Sequence, residues 1–214
     1  MPEAQLPSPA PPEDAELAAA HDELAASVRR MLDAVVTTDL STSEVLVAAA
    51  DIDELTERLS SRPSRIRRQD NPFHPTSLVG GTAHPVAPQI ALRPIDNGVT
   101  GTVTLGQVFE GGPGLAHGGV LALIFDHAMG AAVYLNGTAA MTTGLNVKYR
   151  APTTLHTELT VTARIDQVDG RKVHVAAEIV ADGTVTATAD AVFVQLTMDN
   201  VTRIFARDPR EQTP

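Results

Sequence analysis

Between residues 116 and 142 the groups that can do chemistry are few and regularly placed. His117-Gly118-Gly119 is followed, nine positions after the histidine, by Asp126, the one acid in a run that is otherwise almost wholly apolar from Val120 to Leu135. A helix apolar on every side is normally buried on every side, so a carboxylate in its middle is costly unless it serves a purpose. The glycines stand where such a helix would begin. There the backbone N–H groups have no intrahelical partner and the dipole is positive, and a missing side chain lets a carbonyl oxygen approach. Gly118 is therefore the best candidate for an oxyanion donor, with Gly119 alongside, and Asp126 for a base or a direct nucleophile. Eight residues of helix separate Gly118 from Asp126, about 12 Å at the ordinary rise. One carbonyl cannot touch both, so the site is expected to pair Gly118 of one subunit with Asp126 of its neighbour.

Other side chains near this run are open to two readings. His117 either orients the turn or contacts substrate. His127 adjoins Asp126 in sequence but points about 100° around the helix, which reads as a packed or interface histidine. Thr142, sixteen residues past the acid, either holds an attacking water or is an ordinary strand threonine.

The composition removes several alternatives. The 214 residues include no cysteine, which excludes disulfides, thiolate ligands and thiol nucleophiles. All eight serines lie at or before Ser77, so the later part of the chain holds no serine nucleophile elbow. No paired-histidine metal spacing is present, and neither a metal nor a cofactor is expected. The net charge of −10 comes wholly from residues 1–61, which hold thirteen acids and three bases. With no basic face, nucleic acid is not an expected partner. Met1-Pro2-Glu3-Ala4 lacks a basic, apolar leader, and Asp126 interrupts the apolar run, so a cytoplasmic chain without a membrane span is expected.

The elements that must position these groups follow from periodicity. Residues 1–13, rich in Pro, Ala and Glu, read as a disordered tail. Leu17, Leu24, Val28, Met31, Leu32 and Val35 keep helical spacing, and a second helix follows Ser41-Thr42-Ser43, with Val45, Ile52, Leu55 and Leu59 on one stripe. This extension, 14–61, is expected to cover the main domain or support a dimer. Residues 62–88 form a linker and loop, with four arginines between Arg62 and Arg68 that read as a solvated stretch. The main domain runs 89–198, ahead of a tail at 199–214. Its expected strands are Ile90–Ile95, Val99–Val108, Met141–Arg150, Leu155–Asp166, Lys172–Ala181 and Thr184–Leu196, with turns at Asp96-Asn97-Gly98, Asp169-Gly170 and Asp182-Gly183. The order is ββαββββ. An antiparallel sheet curved around one long helix is the economical way to cover both, an α+β fold that resembles the hotdog fold.

His117-Gly118-Gly119, Asp126 and Met141-Thr142 at these spacings resemble the PaaI-type acyl-CoA thioesterases of the hotdog superfamily. The resemblance spans roughly residues 71–196 and implies hydrolysis of an acyl-CoA by a homodimer or a dimer of dimers. It also lifts Lys148, Arg150, Arg171 and Lys172, otherwise a solvated face, into candidates for the coenzyme A phosphates. Two alternatives stand beside it. One is a non-catalytic acyl-CoA sensor, which would be expected to lose the acid; the other is a hotdog dehydratase or hydratase, whose helix usually opens without His-Gly-Gly.

Overall fold

The computed structural model describes residues 15–62 and 84–196. The expected N-terminal tail, most of the arginine-rich linker and the C-terminal tail lie outside the described residues.

Nine helices and strands follow one another among the described residues: helices α1 (Ala15–Thr37) and α2 (Thr42–Ser60), strands β1 (Arg93–Ile95) and β2 (Gly98–Thr104), helix α3 (Gly118–Leu135), and strands β3 (Ala140–Tyr149), β4 (Glu158–Asp169), β5 (Lys172–Ala181) and β6 (Thr184–Gln195). The six strands form one antiparallel sheet in the order β1-β2-β4-β5-β6-β3, curved around α3 as the hotdog reading anticipated. Alternation decides which face α3 covers. On β5, Val173, Val175, Ala177, Ile179 and Ala181 point inward, while Lys172, Ala176 and Glu178 are exposed. On β6, Ala187, Ala189 and Ala191 leave room for the larger side chains of the helix, and Phe193 closes that row. Into this surface α3 sets Leu121, Ile124, Phe125, Ala128, Met129, Ala132 and Val133. Each large side chain removed from water contributes about 2 kcal/mol, so this contact dominates the core. By length and composition α3 could cross a membrane; in this fold seven of its eighteen residues are buried.

Both ends of α3 are fixed locally. Its last turn is a Schellman closure: Gly137, at φ 78°, donates to the Tyr134 carbonyl and Thr138 to that of Val133. Asn136, at φ −84°, stays outside the left-handed region that Gly137 takes.

Three strand limits differ from expectation. β1 is only three residues long, on a sheet edge where Pro94 is tolerated. β2 ends at Thr104 because buried Leu105 turns inward and Gly106 opens a 3-10 turn, Gln107–Phe109. β4 starts at Glu158 rather than Leu155, since His156 takes φ 59° and donates its N–H to the Leu105 carbonyl. The extension is also arranged differently from its apolar stripe. α1 meets the body through Ala25, Arg29 and Asp33, with Val28, Met31 and Leu32 half-buried and Leu17, Leu24 and Val35 exposed; α2 has no fully buried residue, Ile52 and Leu55 being half-buried.

Candidate active site

The helix entrance is built by residues 106–119. Gly111 to Ala116 fold back on themselves, Gly111 N–H donating to the Leu115 carbonyl and Leu115 N–H to that of Gly112. His117 N–H then donates to the Phe109 carbonyl at 2.9 Å. His117 is the N-cap of α3, and its Nδ1 accepts the Gly119 N–H at 3.0 Å. That bond fixes the neutral tautomer with the proton on Nε2. So His117 orients the turn, and the Gly119 N–H, expected to help hold an oxyanion, is already taken. Gly118 N–H has no acceptor among the described residues and remains the open donor. Tyr149, which the sequence reading passed over, donates its hydroxyl to the Gly118 carbonyl at 2.8 Å. A Cβ on Gly118 would lie 2.9 Å from that hydroxyl, which explains the glycine sterically. The strand alternation places Tyr149 opposite Ala187 on β3, but no pattern in the sequence shows that its hydroxyl reaches Gly118.

Asp126 sits two turns further along, half-buried. Thr142 Oγ1 donates to its Oδ1 at 2.8 Å, leaving Oδ2 for another partner. The two residues singled out by spacing are therefore one hydrogen-bonded unit. His127 points elsewhere. Burial pushes its imidazole down to about 4, against the opposing pull of the Asp126 carboxylate, so it is neutral near pH 7.

Gly118 and Asp126 are not brought together within one chain, as the helical rise requires. The basic residues separate likewise. Lys148 pairs with Asp190 at 3.3 Å and Arg150 reaches Thr188 at 3.4 Å, both at the Tyr149 end of β3. Arg171 donates to the Gln195 carbonyl at 2.9 Å, and Lys172 lies in register with Val194, which is opposite Met141 at the other end. Six residues of β6 separate the two pairs, about 20 Å. Meanwhile β3 is the outer strand of the sheet, with its far edge unpaired among the described residues and with Met141 and Tyr149 exposed.

Comparison with known proteins fits this frame. The sequence pattern of the Thioesterase superfamily matches residues 113–188, which include the helix entrance, Asp126 and Thr142. The chain is 36% identical over 94 residues to acyl-coenzyme A thioesterase THEM4 of Xenopus laevis, covering 42% of each protein. To the Bos taurus THEM4 it is 31% identical over 93 residues, covering 42% of this chain and 38% of the relative. The chain thus spans about two fifths of the length of these curated relatives. A solved structure described as a thioesterase superfamily protein shares 32% identity at a TM-score of 0.74, over 81% of this chain and 94% of the other. That 81% is more than residues 89–214 contain, so the match runs into the N-terminal region as well. With the helix-wrapped sheet, the His-Gly-Gly entrance and a relative matched over nearly its whole length, the chain belongs to the thioesterase superfamily.

Proposed function

We propose that this protein hydrolyses the thioester of an acyl-CoA to the free acid and coenzyme A, at a site shared by two copies of the chain. The observation that carries the reading is the open Gly118 N–H at the start of the same helix that holds the Thr142-bound Asp126 carboxylate. The one supplies charge stabilisation and the other activates water or attacks directly; base and nucleophile both remain open. In the water route, Oδ2 of Asp126 takes a proton from a water whose second O–H donates to Thr142 Oγ1. The water oxygen adds to the thioester carbon, the carbonyl oxygen becomes an oxyanion on Gly118 N–H, and the C–S bond breaks to release the thiolate.

The fold supports a simple way of joining the separated halves. α3 runs antiparallel to β3, with Gly118 beside Tyr149 and Asp126 beside Thr142. If two β3 edges pair antiparallel about a two-fold axis, the Tyr149 end of one strand lies along the Thr142 end of the other. Gly118 of one copy then faces Asp126 of its neighbour. The same operation carries Lys148 and Arg150 of one copy toward Arg171 and Lys172 of the other, gathering the cations that one chain holds apart. Coenzyme A phosphates are the natural occupants of such a cluster. The named activity of the THEM4 relatives supports the substrate class.

The test is incubation of the purified protein with acyl-CoAs of graded chain length and a free-thiol reagent. Thiol release above the uncatalysed rate with at least one of them is expected. Binding of acyl-CoA without release would instead assign a sensor.

A further inference from the structure

The first helix touches the rest of the protein next to the oxyanion donor. Asp33 of α1 extends its carboxylate into the segment after β2, where Oδ1 accepts the Val108 N–H at 2.8 Å. Gly106 makes this possible: a Cβ there would lie 2.7 Å from Oδ2 and 3.0 Å from Oδ1. The carboxylate thus occupies the space that any other residue at 106 would fill, and caps the 3-10 turn Gln107–Phe109, whose first N–H groups lack partners. That turn is also the seat of His117. The Phe109 N–H donates to the Gly106 carbonyl at 3.1 Å, and the Phe109 carbonyl accepts the His117 N–H at 2.9 Å. Gly111 packs against the His117 Cα so closely that a Cβ would come within 2.7 Å of it. Two hydrogen bonds, joined by the Val108–Phe109 peptide, therefore link Asp33 to His117, whose ring sets Gly119 and whose position as N-cap aims Gly118 N–H.

We propose that Asp33 is a positioning residue for hydrolysis, and that α1 is present to hold the oxyanion-donating end of α3 in register. The kinetic part of this rests on the thioesterase reading above. An N–H contributes to transition-state binding only when aimed at the developing charge, so a loosened seat lowers turnover more than substrate affinity. A merely anchoring role for α1 predicts lost stability with unchanged kcat.

The experiment uses the full chain as wild type, Asp33→Ala, Asp33→Asn, Gly106→Ala and the Asp33→Ala/Gly106→Ala double variant. Acyl-CoA hydrolysis and amide hydrogen exchange across 107–120 are followed for each. Removing one charge-assisted bond should lower kcat about tenfold in Asp33→Ala with KM within about twofold, and should speed exchange at His117–Gly119. Asp33→Asn keeps an acceptor oxygen and should recover to within about threefold of wild type. Gly106→Ala displaces the carboxylate while leaving Asp33 in place and should reproduce the loss, and the double variant should be no worse than either single one. It also decides the matter if Asp33→Ala proves unstable. Wild-type kcat and exchange in Asp33→Ala or Gly106→Ala, a change in KM alone, or no recovery in Asp33→Asn would overturn the proposal. If the wild type releases no thiol from any acyl-CoA, the functional reading has failed, and exchange alone decides whether Asp33 orders the His117 seat.

Discussion

A carboxylate in an apolar helix needs a partner that leaves it reactive, and Thr142 does this by binding one oxygen of Asp126 only. Asp126→Asn keeps the shape and the Thr142 contact but removes the base. Thiol release at saturating acyl-CoA should fall by at least about a hundredfold, with circular dichroism unchanged; activity within a few-fold of wild type would end the catalytic assignment. His127 is separable by pH. Its ordinary imidazole value near 6.5 falls to about 4 on folding, so the unfolded chain binds a proton that the folded chain refuses. Its contribution makes stability fall as pH drops from about 6.5 toward about 4 and level off below that. Urea melts at pH 7.5 and 4.5 should therefore differ less for His127→Asn than for wild type; an unchanged difference would mean that the ring titrates normally. The sequence made Asp126, Thr142 and the glycines legible because their spacing is set by one helix and the next strand. Tyr149 and the occupied Gly119 N–H were not, since both depend on which rotamer reaches which backbone atom.

Among the elements, the meander was the most legible. Two-residue alternation and Asp-Gly turns fixed β5 at its exact limits, with Asp182 and Gly183 both at positive φ. Strand ends next to irregular backbone were not legible: β2 stops early because Leu105 belongs to the core and Asp33 caps the turn beyond it, a partner 75 residues away. The helical extension was legible in part. Val28, Met31 and Leu32 of its stripe are half-buried, but small Ala25 and the polar pair Arg29 and Asp33, which the stripe does not include, also meet the body. Because α2 has no fully buried residue and α1 meets the body over a short stretch, removing residues 1–60 should leave a folded, strand-rich protein. Net charge should move from −10 to about zero, and turnover should fall at least as far as in Asp33→Ala. Circular dichroism and ion-exchange elution check the first two. An unfolded product would show that the extension is part of the core.

At the scale of the whole molecule, the proposed dimer makes one chain half of two sites. Gly118 and Asp126 face different ends of an unpaired edge strand, and the cations that suit a coenzyme A phosphate are split the same way. Gly118→Pro removes the N–H, and its Cβ moves the Tyr149 hydroxyl aside. Gly118 is the first residue of α3, a place where proline is tolerated, and His117 before it has φ −65° and ψ 131°, the extended geometry proline requires of its predecessor. Gly118→Pro and Asp126→Asn should each be nearly inactive alone. The decisive measurement is thiol release from an acyl-CoA after the two variants are unfolded together, refolded in equal amounts and shown to form heterodimers. Half of the dimers would then be mixed, each with one site carrying both intact groups, and roughly a quarter of wild-type activity should return. Activity no higher than the average of the two variants alone would contradict the shared site.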